Sequence, residues 1–545
     1  MYPVRNILCG FARHATTLKR CDEVNTHTHY AKPSSLLIIA LPTYLPTYLP
    51  VFIILSFIVC QILTAQDGRS ALKQPLIEIT NEQVGQELDM WFTNEECEAL
   101  ARETGFIQRS TSRLTGSGFF NLLTVEALDE PTISYEGLCD ILEERNPNSQ
   151  ITPQALCERM NSDGAVTFLK AGLERTLKET TRQQTAAMAM AWLEPFLRVL
   201  LQDSTQIQIH EKMAGQFKGS GGNASAACVK LDYSYDVKSE KAEHIAIRQG
   251  ADSDQGFAED LAARVQEGDL VIRDLGYFCL NFFAYLTSIG AYFLSRLSFN
   301  VNVYLTADAD EPVKLIQHIN RFGNGDKTME FNVFLGQKHR IPIRLVVYRL
   351  PSDVYRKRQK AAIKAAKRKG RSISLAYLKF LKYTFFITNV PATLWPMEAV
   401  GTVYRLRWQV ELVFKNWKSL FQINVLKGTR PERILCLIYG RLIVILVVQR
   451  LLALASAQAV VEQRELSFCK ASQWLMRGGR LLKAFLDRQF GGLLRHMLSH
   501  LKRLLKQKRK RLTTWQLIGQ QVAYLDSFAD MGHVVPEELP QAGCA

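Results

Sequence analysis

The stretch YRLRWQVELVFKNWK (residues 404–418) has enough aromatic and aliphatic surface to bury most of a helix, yet it carries Arg407, Glu411, Lys415 and Lys418. At about 100° per residue on a helical wheel, these four and Tyr404 share one narrow stripe. Val403, Leu406, Val410, Val413 and Trp417 form the opposing apolar arc, which can pack on a core. Two readings fit the stripe. One is a solvated face with i,i+4 pairs such as Arg407–Glu411 and Glu411–Lys415. The other is a single carboxylate held among cations and a tyrosine, an arrangement suited to metal ions and phosphate. The wheel alone does not separate them.

The 545 residues suffice for roughly two to four domains with real cores. A net charge of +15 favours a polyanionic partner, most often nucleic acid and less often an anionic membrane. The excess is concentrated: RKRQKAAIKAAKRKGR (356–371) holds nine Lys/Arg and LKRLLKQKRKRL (501–512) holds seven, whereas the region 76–104 is acidic. Two dense basic runs on a basic chain favour phosphate contacts over a merely solvated face. The 11 cysteines show no CxxC pair, and no His cluster has metal-ligand spacing. They read as reduced thiols of a cytosolic protein, which excludes a disulfide framework and a zinc module.

Residues 33–66 contain no charge, and VFIILSFIVCQILTA (51–65) is strongly apolar. A signal peptide or membrane anchor is one reading. Against it stand Pro33, Pro42, Pro46 and Pro50 and the tandem TYLPTYLP (43–50), which has the look of a translated nucleotide repeat. Residues 1–67 are therefore expected to be a start-site artefact or a dispensable leader.

Further on, SYEGLCDILEERNPNSQITPQALCERMN (134–161) predicts two short helices around a turn, the second capped by Thr152 with Pro153 at its first position. This is a helix-turn-helix candidate or part of a plain bundle, with Arg159 the one basic residue on the second helix. Residues 197–297 alternate strand and helix signals, which predicts an α/β domain. Its strands are expected at 198–202, 226–236, 244–250, 269–274 and 291–297, with helices at 256–266 and 278–288. Asp203 and Asp274 each stand where a β-rich run stops, at the sheet edge where α/β sites are built. Either alone reads as a turn or cap aspartate. Asp232 and Asp236 compete as carboxylates.

Tyr404, Arg407, Glu411 and Lys418 match the spacing Y-x2-R-x3-E-x6-K, and in this the chain resembles the IS-four-type DDE transposases of bacterial insertion sequences. LLQDST (200–205) resembles the block around that family's first catalytic aspartate, LVIRDLGY (270–277) the block around its second, and ARETGFIQRSTSRLTGSGFF (101–120) the entry to its N-terminal domain. The resemblance spans about 90–425; the leader, Leu275 and the C-terminal region depart from it. It implies a ribonuclease-H-like catalytic domain in which Asp203, Asp274 and Glu411 bind two Mg²⁺ ions, Mn²⁺ substituting. Tyr404, Arg407 and Lys418 would hold the phosphate backbone; Trp408 would stack on a base or pack in the interior. The implied division is 1–67 leader, 68–190 helical DNA-binding domain, 191–425 catalytic domain with a β-rich insertion at 299–395, and 426–545 helical basic C-terminal region. The very apolar 435–456 is read as a buried helix because Arg441 and Arg450 interrupt it.

The implied partners are double-stranded DNA, as inverted-repeat ends and as target, and a second copy of the chain in the DNA complex. The implied place is the cytoplasm, on the nucleoid, with no membrane partner. The function that follows is cleavage of element ends and joining of their 3′ ends to target DNA. A metal-dependent nuclease that cuts without joining, and an inactive transposase relic, remain as alternatives.

Overall fold

The computed structural model describes residues 93–507 apart from 110, 129–131, 183–191, 222–224, 323–326 and 462–463. The apolar leader and the basic residues beyond 507 lie outside the described residues. Five helices come first: α1 (Asn94–Glu103), α2 (Gly116–Thr124), α3 (Tyr135–Arg145), α4 (Pro153–Met160) and α5 (Asp163–Arg182). Their starts follow from local chemistry. Thr93, Thr115, Ser134 and Thr152 each accept a hydrogen bond from a first-turn N–H, and Pro153 takes the position where no N–H is needed. Arg159 donates to the Phe106 carbonyl and lies 4.6 Å over the Phe106 ring. The DNA-reading version thus loses the one basic side chain of its second helix, α4, to an internal contact.

Nine strands form one sheet in the order β3-β2-β1-β4-β5-β9-β8-β7-β6. They are β1 (Val199–Gln208), β2 (Cys228–Asp236), β3 (Lys241–Gln249), β4 (Leu270–Arg273), β5 (Tyr292–Arg296), β6 (Val303–Tyr304), β7 (Thr328–Leu335), β8 (Ile341–Arg349) and β9 (Tyr383–Thr388). β1, β4 and β5 run parallel; every other pairing is antiparallel. Residues 299–395 supply β6–β9, which continue this sheet past β5, and three helices: α8 (Leu315–Phe322), α9 (Ser352–Arg368) and α10 (Leu375–Phe380). α6 (Ala258–Ala262) and α7 (Leu280–Ser288) precede them; α6 is shorter than the expected 256–266, with a 3-10 turn over Asp254–Phe257 before it and its end at Ala262. After β9 come α11 (Met397–Tyr404), α12 (Trp408–Ser419), α13 (Pro431–Val461) and α14–α17 (Phe468–Met476, Arg480–Asp487, Phe490–Ser499, Leu501–Leu504).

Strand alternation decides which face carries the site. Val199 and Leu201 of β1, with Leu270 and Ile272 of β4, face one cluster together with Val400, Val403 and Leu406. Leu200 and Val271 face the opposite layer with Phe282, Phe283 and Leu286 of α7. A third cluster joins Ile207 and Val229 to Val410, Trp417 and the long helix α13. In α13, a window from Pro431 to Ser456 has mean hydropathy 2.1, enough by length and composition to cross a bilayer, but 94% of it is buried inside the protein. Arg441 bridges its surroundings by donating to the carbonyls of Gln422 and Val425 at 2.7 and 2.8 Å.

α13 also meets α2 closely. A Cβ on Gly440 would stand 2.2 Å from the Leu123 carbonyl oxygen. Gly440→Ala is therefore expected to lower stability by ~1–3 kcal/mol through overpacking. An unchanged urea midpoint would show that the two helices separate at no cost.

Candidate active site

The parallel ladder between β1 and β4 ends at the pair Gln202–Arg273. The next residue on each chain is an aspartate, Asp203 and Asp274. By alternation both continue the face of Leu201 and Ile272, at the seam between the two apolar clusters that cover it. β1 does not stop at Asp203 as the sequence reading has it. It runs on to Gln208, because β2 supplies antiparallel partners from Leu200 to Gln208. Asp203 is mid-strand, whereas Asp274 does sit just past the end of β4, opening a short 3-10 turn.

Glu411 arrives from above on α12. The segment 404–418 is not one regular helix: a 3-10 turn, Arg405–Arg407, joins α11 to α12, although its backbone angles stay right-handed throughout. The predicted apolar arc is in place, with Val403, Leu406, Val410 and Trp417 fully buried. Of the i,i+4 pairs, Arg407–Glu411 forms at 2.6 Å. Lys415 instead lines a cleft behind α12 with Gln409 and Asn416.

Arg407 does more than pair with Glu411. Its guanidinium also reaches Asp203 at 3.2 Å and Asp274 at 3.9 Å. Three carboxylates from β1, the end of β4 and α12 thus converge on one cation. This distinguishes the site from a solvated face, where pairs stand singly. Burial alone would lower the Arg407 pKa, but Asp274 and Glu411 hold it above its usual value. Tyr404 closes one side, its hydroxyl 3.4 Å from Asp274 Oδ1 and its ring 4.9 Å from that of Phe386. Burial, then the Asp274 carboxylate, raise the tyrosine pKa and keep the hydroxyl protonated. Lys418 is half-buried two turns along α12 from Glu411 and has no ion pair or hydrogen bond among the described residues. Burial lowers its pKa. Trp408 is 57% exposed, so its ring is available at the surface rather than spent on packing.

The competing aspartates have other work. Asp236 accepts from the N–H of Val199 at 3.0 Å and from the loop after β2. Asp232 is fully buried beneath the site and accepts from Tyr277 Oη at 2.6 Å and Gln202 Nε2 at 2.8 Å. Burial pushes its carboxyl up to about 6. A brace that the sequence did not signal runs under β1: Ser204 Oγ donates to Asp254 Oδ1 at 2.9 Å, and Lys230 pairs with the same oxygen at 3.2 Å.

Burial also pushes the Asp203 carboxyl up to about 6, outweighing the Ser204 N–H and Arg407. The folded value lies above the ordinary 3.8, so the stability contribution is complete below about pH 4 and is lost as pH rises through about 6. Asp203→Asn is expected to stabilise the protein relative to wild type across that window, by no more than ~3 kcal/mol. Parallel stability curves for the two proteins from pH 4 to 7 would show that the carboxyl ionises without penalty.

Among the described residues, no three His, Cys, Asp or Glu groups are drawn tightly enough together to hold an ion as they stand. The Arg407 guanidinium sits among the three carboxylates. The donor set nonetheless suits a hard divalent cation, since three carboxylates already surround a positive charge with hard oxygens.

Residues 194–447 match the family model described as a transposase DDE domain. The chain is 31% identical over 389 residues to the transposase for insertion sequence element IS231F of Bacillus thuringiensis subsp. israelensis, covering 68% of this chain and 78% of that one. It is 27% identical over 402 residues to the transposase for insertion sequence element IS1151 of Clostridium perfringens, covering 70% and 83%. Among solved structures, it is similar to the piggyBac transposase in its synaptic complex with hairpin DNA, with a TM-score of 0.39, 12% identity, and 85% and 87% of the two chains covered.

Proposed function

Since this chain belongs to the IS-four-type family of insertion-sequence DDE transposases, we propose that Asp203, Asp274 and Glu411 are the groups with which it cuts the ends of its element and joins them to target DNA. The observation that carries this reading is their convergence on the Arg407 guanidinium. DDE transposase domains in general use divalent metal ions. Here the three carboxylates would hold two Mg²⁺ ions, with Mn²⁺ able to replace them. When bound, the ions would activate a water or a 3′-OH and neutralise the leaving oxygen in an in-line attack at phosphorus.

The chain's own residues do the positioning. Arg407, released from its carboxylates, presents a planar fork to a phosphate, and Lys418 offers an unpaired point charge on the same helix. Tyr404 fixes Asp274 through its hydroxyl. Trp408, exposed at the start of α12, offers a ring on which a base near the cut can stack. The order β3-β2-β1-β4-β5, with β1 central and the two aspartates one on β1 and one just past the end of its parallel neighbour β4, supports a ribonuclease-H-like catalytic domain within 191–425. The other proposed parts are a DNA-binding domain at 68–190, an insertion at 299–395 and a basic region at 426–545. Double-stranded DNA is the substrate, a homodimer the form that brings two ends together, and the cytoplasmic nucleoid the place of action.

The test uses a duplex ending in the element's own terminal repeat, read from the DNA flanking the gene, with plasmid as target and Mg²⁺ present. Joined product is expected; cutting with no joined product would favour the nuclease reading, and neither would favour a relic. In the same assay Lys418→Ala is expected to weaken end binding and reduce the salt slope of log K by about 1. If it instead melts lower and binds normally, Lys418 is structural.

A further inference from the structure

A cleft of about 350 Å³ opens on the far side of Tyr404 from the carboxylates. Its floor is the sheet. Arg296 of β5 pairs in register with Phe386 of β9, and Thr384 of β9 with Tyr348 of β8. One wall is α11 and the turn after it, with Glu398, Gly401, Thr402 and Arg405; the other is the root of the basic helix α9, with Arg358. Three guanidiniums face this space against one exposed carboxylate. None of Arg296, Arg358 and Arg405 is in an ion pair among the described residues. Arg358 donates to Thr384 Oγ1 at 3.0 Å, which aims it across the floor.

We propose that this cleft binds a backbone phosphate of the DNA strand whose neighbouring phosphate lies at Asp203, Asp274 and Glu411, with Arg296, Arg358 and Arg405 as its ligands. The proposal rests on the reading of those carboxylates as the cutting site. Like charges collected without counter-ions are costly, and a polyanion is the ligand that relieves them. Burial lowers the Arg358 pKa, and the Arg296 charge lowers it further, which places the two guanidiniums within electrostatic range of each other. A base is a poorer fit than a phosphate. The Phe386 ring is buried, in contact with the rings of Tyr404 at 4.9 Å and Tyr348 at 5.6 Å, and offers no open face for stacking. Tyr348 is itself held, with its hydroxyl accepting from the Gly401 N–H at 3.0 Å and donating to the Met397 carbonyl. A Cβ on Gly401 would come within 3.0 Å of that ring, so the wall is closed by a glycine that lets the tyrosine stand against the helix. Tyr404 spans the two places: its ring lines the cleft and its hydroxyl touches Asp274. A strand crossing the carboxylates therefore reaches the cleft at one of its next phosphates.

Chemically neutral methylphosphonates test this on the full-length protein. Placed one at a time beside the cut in the terminal-repeat duplex, one within a few nucleotides of it should weaken wild-type binding roughly tenfold. In the double variant Arg296→Gln, Arg358→Gln, which keeps only Arg405 of the three ligands, the same methylphosphonate should cost less than half as much in log K, and the salt slope of log K should fall by about 0.7–0.9 per lost contact. Arg358→Lys should restore part of the affinity. If wild type cuts the duplex but no single methylphosphonate near the cut is felt, or if the double variant feels it as strongly as wild type, the cleft is not a phosphate site while the carboxylate reading stands. If wild type binds but Mg²⁺-dependent cutting is absent, the carboxylate reading fails, and the difference in methylphosphonate cost between wild type and the double variant, both measured by binding, still decides the cleft.

Discussion

Asp203→Asn, Asp274→Asn and Glu411→Gln are each expected to lower strand cleavage by about 10³-fold or more, while binding to terminal-repeat DNA stays within about threefold. The amides keep the shape of the acids but lose the charge that a divalent cation requires. Each amide keeps one oxygen that accepts from Arg407, so the contact to the guanidinium is weakened rather than reversed. Asp203→Asn is the most informative of the three. Its carboxyl is pushed up to about 6 by burial, so the amide should make the protein more stable at neutral pH. Lost cleavage in a better-folded protein separates chemistry from folding. Substantial residual cleavage by any one variant, measured with Mg²⁺ on an end-containing duplex, would remove that residue from the group.

What could be read from the sequence, and what could not, follows from the range of the interactions. The stripe Tyr404, Arg407, Glu411, Lys418 was legible because its members lie within a few helical turns, where spacing fixes geometry. The two aspartates were legible as carboxylates following apolar runs. The extent of β1 was not. In QDSTQIQ only Ile207 marks the buried face, and the strand persists because β2, which begins 20 residues after it ends, pairs with every residue from Leu200 to Gln208. The placement of 299–395 was illegible for the same reason. Its β-rich character showed in FNVFLG and YTFFITNV, but the antiparallel pairing of β9 with β5 joins residues some ninety positions apart and turns these strands into a continuation of the sheet. The wheel also gave Arg407 an angle and no reach. That its guanidinium spans three carboxylates depends on β1 and β4 arriving beneath it.

That span gives Arg407→Ala two linked effects. The guanidinium is 18% exposed, and Asp203 is 17% exposed, so removing the cation leaves three carboxylates facing one another with part of their hydration already lost. Breaking a fully buried pair in this way costs ~3–5 kcal/mol; with Glu411 34% and Asp274 43% exposed, solvent screening reduces the expected cost to ~1–3 kcal/mol. A divalent cation then does for the variant what the guanidinium does for wild type. With Mg²⁺ held as proposed, the ion would have to displace Arg407 in wild type, whereas in the variant it would meet only the carboxylates. The thermal shift produced by Mg²⁺ should therefore be larger in Arg407→Ala than in wild type, and half-saturation should come at several-fold lower Mg²⁺. Cleavage should nonetheless be lost, because the phosphate has lost its bidentate partner. Terminal-repeat DNA should raise the Mg²⁺ affinity of wild type by giving Arg407 another anion to hold, and by reciprocity Mg²⁺ should tighten DNA binding by the same factor. In the variant that coupling should shrink. Equal Mg²⁺-induced shifts in the two proteins, with and without DNA, would show that the guanidinium and the cation do not compete for the three carboxylates.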